Sequence, residues 1–173
     1  MKTESILKAA VMMVLPIVLF GCASAKSYSK FDAGEALNGK KVVVYFQSHE
    51  RLQEMSDGIE KRITRTFQSR SIEALPYKQA GLSLSDNALA DFAKEKGADY
   101  IFAYALTSAS IYNMALSGVT SEGSIIRVGD GKALWKGSVD YSNHMPGPGS
   151  WGTGEAKIGE ELVAKLTVDG FLK

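Results

Sequence analysis

The chain has 173 residues, 45% of them hydrophobic and 23% charged, a balance that excludes intrinsic disorder and is ordinary for a folded domain. Its formal net charge is +1, so it lacks the long-range field that draws a protein onto nucleic acid, and no nucleic-acid partner is expected. A single cysteine, Cys22, leaves no thiol for an internal disulfide.

Met1–Lys8 carries Lys2 and Lys8 and reads as the basic start of an export signal. Ala9–Phe20 (AAVMMVLPIVLF) is an unbroken apolar run. As a helix it would reach about 18 Å, against a hydrocarbon core of about 30 Å, and Pro16 would break it. The run has the length of a signal-peptide core and is too short to span. Leu19-Phe20-Gly21-Cys22 then resembles the lipobox of bacterial lipoproteins, with Phe20 bulkier than the usual small residue. The resemblance implies cleavage between Gly21 and Cys22, diacylglycerol on the Cys22 sulfur and a further acyl chain, such as palmitate, on the new amino group. Two or three chains make a stable anchor. The aspartate that retains such proteins in the inner membrane is absent after Cys22 (Ala23-Ser24), which implies the outer membrane, with the domain on its periplasmic face.

Residues 22–38 show no sustained periodicity and read as a lipidated tether, leaving 39–173 as one domain. Lys40–Gln47 (KKVVVYFQ) reads as a strand buried on both faces. Over Leu52–Ser69, Leu52, Met55, Ile59, Ile63 and Phe67 recur at helical spacing. Ile72–Tyr77 is a short strand. A helix capped by Ser85 or Asp86 runs to about Lys96, burying Leu89, Phe92 and Ala93, and Gly97 stops it.

Asp99–Ser110 is the longest strand candidate, its large residues (Tyr100, Phe102, Tyr104) alternating with Ile101, Ala103 and Ala105. A further strand over about Val119–Val128 is joined to Ala133–Ser142 by the turn Gly129-Asp130-Gly131-Lys132, a hairpin signal. Asn143–Gly154 (NHMPGPGSWGTG) reads as an exposed loop. From Glu155 a last helix turns Ile158, Leu162, Val163 and Leu166 inward. The order β-α-β-α-β-β-β-α describes an α/β (α+β) domain, a mixed sheet with flanking helices.

Two stretches carry a second resemblance. Gly97-Ala98-Asp99-Tyr100-Ile101-Phe102 and Gly131-Lys132-Ala133-Leu134-Trp135-Lys136-Gly137 are similar to a group of envelope proteins. The group includes the curli secretion channel CsgG, the penicillin-binding-protein activator LpoB, the Pel export lipoprotein PelC and the N-terminal domain of TolB. The resemblance implies a non-enzymatic accessory of envelope assembly or export, with an envelope protein partner or a homo-oligomeric ring. The chain lacks the extra amphipathic strands of a CsgG-like pore.

No local pattern points to catalysis, a metal or a cofactor. His49 and His144 stand far apart in sequence, with no metal-ligand spacing. No GxSxG elbow marks a nucleophilic serine. Gly147-Pro148-Gly149-Ser150-Trp151-Gly152 matches GxGxxG formally, but no strand follows it to complete a dinucleotide fold. Lys61, Arg62, Arg65 and Arg70 read as a solvated helix face, and Trp135 as strand packing. The loop residues Met145 and Trp151 are the candidates for contact with a partner or the membrane, because exposed Trp is enriched at interfaces. The alternative for Trp151 is that it folds back against the sheet edge.

The expectation is an outer-membrane-anchored, periplasm-facing binding or assembly accessory. Its alternatives are an envelope hydrolase acting on peptidoglycan or polysaccharide, and a structural ring subunit of an export apparatus.

Overall fold

A computed structural model describes residues 23–31, 35–78 and 87–173. In chain order the elements are β1 (Ala23–Phe31), β2 (Lys41–Ser48), α1 (Gln53–Ser69), β3 (Glu73–Tyr77), α2 (Ala88–Glu95), β4 (Tyr100–Tyr112), β5 (Ala115–Arg127), β6 (Ala133–Asn143) and α3 (Ser150–Val168). The strands form one mixed sheet in the order β1-β6-β5-β4-β2-β3. β2 pairs in parallel with β3 and with β4, and the other pairs are antiparallel.

This order decides where the helices lie. The chain leaves β2 through α1 to reach β3 on one side, then returns through α2 to β4 on the other. Both crossovers must be right-handed, so reversing the direction of travel puts α1 and α2 on opposite faces. On the first face Ile59, Ile63 and Phe67 of α1 and Ile158, Leu162 and Leu166 of α3 pack on Val42, Phe102, Tyr104, Ile125 and Trp135. On the second, α2 covers the β3 end alone, through Ala93 with Leu89 and Phe92 against Val43 and Ile101. The alternation along β4 therefore sends its large residues beneath α1 and α3. Tyr104 donates its hydroxyl to Ser121 Oγ (2.6 Å), since Ser121 spends its own proton on the Val139 carbonyl (2.7 Å).

Residues 23–31 do not behave as a tether. Ala23, Ala25, Ser27 and Ser29 face inward and alternate with Ser24, Lys26, Tyr28 and Lys30, a period-two pattern written in small residues. Ala23 and Ala25 pack on the core, and Ser27 Oγ donates to Glu161 of α3 (2.6 Å). The expected cap at Ser85 or Asp86 lies outside the described residues.

Three further expectations shift. β5 starts at Ala115, because a tight turn at Asn113-Met114 pairs Tyr112 with Ala115 and lengthens the hairpin. β2 is buried on both faces only over Val42–Val44; Tyr45 is half-buried and Gln47 exposed. The last helix begins at Ser150, not Glu155. Gly149 sits at φ +84°, where a Cβ would be strained, and the Gly147 N–H donates to Ser150 Oγ (2.8 Å), so the chain turns sharply into the helix.

Candidate functional site

Because α2 covers only one end of the second face, the β4-β5-β6-β1 half of that face is open. The register lays two rows of side chains across it. One runs Tyr45, Ala103, Ser124, Lys136, Lys30; the other runs Gln47, Ala105, Glu122, Ser138, Tyr28. Small residues in the middle and tyrosines at the sides make a shallow groove of about 620 Å³. Its floor offers methyl groups and hydroxyls, its walls offer two phenol rings, and the Glu122 carboxylate shares the lining with the Lys30 and Lys136 ammonium groups. That set can hold an extended chain by stacking and hydrogen bonding.

The sequence reading missed this groove. Its lining is every second residue of five strands, and only the sheet register makes them neighbours.

The opposite side of the same strands explains the Trp135-Lys136-Gly137 stretch. Trp135 is buried, and a Cβ on Gly137 would lie 2.3 Å from its indole ring. A Cβ on Gly123 would lie 2.7 Å from Tyr104 and 3.2 Å from Trp135. The Trp135 Nε1–H donates to Asp169 Oδ2 (2.8 Å), Ser29 Oγ donates to the same oxygen, and Lys165 Nζ reaches Oδ1 (3.0 Å). Burial pushes the Asp169 carboxyl up, but the bonds from Ser29, Trp135 and Lys165 outweigh it and hold the group below its ordinary range. Trp135 and Gly137 thus serve packing and the attachment of β1.

A second surface lies at the end of the sheet where β1 begins. Trp151 is in the first turn of α3, half-buried against the core, and its Nε1–H donates to the Met114 carbonyl (3.2 Å). The indole has folded back to brace the β4–β5 turn. Met145 is 60% exposed in the connection that follows β6.

Cys22 and Gly21 lie outside the described residues. His49 and His144 are both exposed, and among the described residues no three of His, Cys, Asp and Glu gather as a metal site would require. Arg62 leans on Gly159 and pairs with Glu160 (3.9 Å), while Arg70 reaches Thr167 (3.2 Å), so these two arginines join α1 to α3. At the far end of the sheet Glu35 accepts from Tyr100 (2.8 Å) and Arg127 (3.0 Å), and Arg127 also pairs with Asp130 (2.9 Å). The hydrogen bonds from Arg127 and Tyr100 hold the Glu35 carboxyl below its usual range.

Among the described residues no helix is long and apolar enough to cross a membrane. No protein-family model and no curated protein matches the sequence. The architecture is a mixed-sheet α+β domain whose fold is shared with solved structures. The PelC dodecamer from Paraburkholderia phytofirmans superposes with a TM-score of 0.60 at 13% identity, over 86% of this chain and 99% of that one. A variant PelC dodecamer in another crystal form gives 0.58 at 13% identity, over 80% and 95%. Lipoprotein GNA1162 from Neisseria meningitidis gives 0.48 at 14% identity, over 75% and 99%. At 13% identity the likeness to the two PelC structures is one of fold alone.

Proposed function

We propose that this chain is a lipid-anchored protein of the bacterial outer membrane, facing the periplasm, that works without catalysis as a binding or assembly accessory of envelope biogenesis or export. The observation that carries this reading is the open half of the sheet. A shallow groove floored by Ala103, Ala105, Ser124 and Ser138 and walled by Tyr45 and Tyr28 is shaped to hold another chain. The lipobox-like Leu19-Phe20-Gly21-Cys22 supplies the anchor, attached through Cys22. Met145, beside the folded-back Trp151, belongs to a separate contact surface.

A homo-oligomer is the second reading, favoured by the fold likeness to a dodecamer.

Three measurements on the full-length protein test these readings. Growth with an alkyne palmitate analogue is expected to label the wild type and to leave Cys22→Ala unlabelled; equal labelling removes the anchor. A photo-crosslinking amino acid at Ser138 is expected to trap an envelope component or a second copy in cells. Crosslinks to neither would remove the groove from the binding role. Turnover of peptidoglycan or polysaccharide by the purified protein would replace the accessory reading with the hydrolase.

A further inference from the structure

We infer that the β4–β5 turn, with Ile111, Tyr112 and Met114, is a second membrane contact that dips into the same bilayer as the lipid on Cys22. This rests on the anchor reading above.

The sheet register puts the two together. Ser24 pairs with Ser142, Ser142 with Gly118, and Gly118 with Ser110, so these four residues form one row across β1, β6, β5 and β4. β1 starts at Ala23, one step beyond that row, and Cys22 is the residue that precedes it in the sequence. Ile111 and Tyr112 run past the row on the same side. β5 lies two strand spacings from β1, about 10 Å. A lipid entering a membrane at residue 22 therefore brings the hairpin turn to the same surface.

That turn is built for an apolar medium. Tyr112 is 63% exposed, Met114 90% and Ile111 48%, and with Met145 they are four of the six large hydrophobic side chains exposed among the described residues. Thr107–Met114 is exposed at every residue, beyond the point where β2 stops pairing at Leu106. From Tyr100 to Ser121 the sequence holds no Asp, Glu, Lys or Arg, so no ion has to be desolvated when the arm enters a membrane interface.

The conformation of the turn points the same way. Asn113 (φ +48°) and Met114 (φ +61°) both sit in the left-handed region, where such a two-residue turn ordinarily carries Asn-Gly. A methionine there is held against its backbone preference with its side chain outside the core, and Trp151 clamps its carbonyl. A membrane interface supplies the medium that this exposed thioether and the neighbouring phenol favour.

The test uses the full-length, lipidated protein in vesicles of phosphatidylethanolamine and phosphatidylglycerol. Thioether linkage blocks Cys22, so Met114→Cys or Glu95→Cys provides a unique thiol for an environment-sensitive fluorophore. Glu95 lies at the opposite end of the sheet, on α2 just before β4. The label at 114 is expected to be quenched by a spin-labelled lipid and to be several-fold less sensitive to aqueous iodide than the label at 95. If 114 responds to iodide as 95 does, in protein whose mass shows lipid on Cys22, the membrane contact is overturned and the anchor stands. If 114 is shielded from both quenchers, a protein surface covers the turn and the inference is again overturned. If the mass shows no lipid, the anchor reading fails. The turn is then tested by adding the same vesicles to that protein, and it survives only if spin-labelled lipid still quenches position 114.

Discussion

At Gly137 the chain has no room for a single carbon. Because the Trp135 ring lies where a Cβ would be, at 2.3 Å, Gly137→Ala must displace an indole packed beneath α3. The expected cost is about 1–3 kcal/mol, the range for overpacking a filled core, read as a lower urea midpoint at unchanged slope. The same residue shows what sequence can and cannot reveal. That Trp135 packs in a strand was legible from its apolar neighbours. That Gly137 exists for Trp135 was not, because the indole lies over a residue two positions along on the same face. Nor could the sequence show Asp169 as the acceptor for the indole N–H, since that contact joins β6 to the far end of α3.

Among the elements, β1 is held least by its own sequence and most by others. Its hydroxyls are tied to Glu161 and Asp169 on or just after α3. The Asp169 carboxyl sits below its ordinary range in the folded state. Its stabilisation is therefore fully present above the unfolded-state value of about 3.9 and is lost as pH falls through the lower folded-state value. Hydrogen exchange of the β1 amides is expected to accelerate as pH drops below about 4, beyond the intrinsic change in exchange chemistry. Asp169→Asn is expected to weaken β1 already at neutral pH and to flatten that acid response. The strand was invisible to hydrophobic periodicity because Ala and Ser replace the apolar half of its alternation. By contrast α1 was legible to within a residue, since Met55, Ile59, Ile63 and Phe67 are all large and all buried. α3 was legible only from Glu155 on. Glycines in its first turns resemble a loop, yet Gly154 packs so closely on Leu116 that a Cβ would lie 2.7 Å away.

On the scale of the whole molecule, the ends of the chain are woven into the middle. β1 pairs with β6, the Leu37 N–H donates to the Phe171 carbonyl (2.9 Å), and Asn38 donates to the carbonyls of Arg70 (2.9 Å) and Lys173 (3.0 Å). No part of the sheet can open without disturbing another, so unfolding in urea is expected to be one transition. Tryptophan fluorescence, reporting Trp135 and Trp151, should coincide with far-ultraviolet circular dichroism; separated midpoints would show β1 and the hairpin leaving first. The mixed-sheet class was legible from element order, and the right-handed rule then sets the sides of α1 and α2. The open groove was not, because the strand that closes its far wall, β1, had no sequence signature.

The start of β1 at residue 23 also has a mechanical meaning. With a lipid on Cys22, any pull on the domain enters along the axis of β1, while the nine register pairs that join β1 to β6 run across that axis. The ladder is loaded in shear, all rungs together, and cannot be unzipped one rung at a time. A short linkage of small residues then becomes a rigid mooring, able to transmit force from a moving partner to the membrane without the domain letting go.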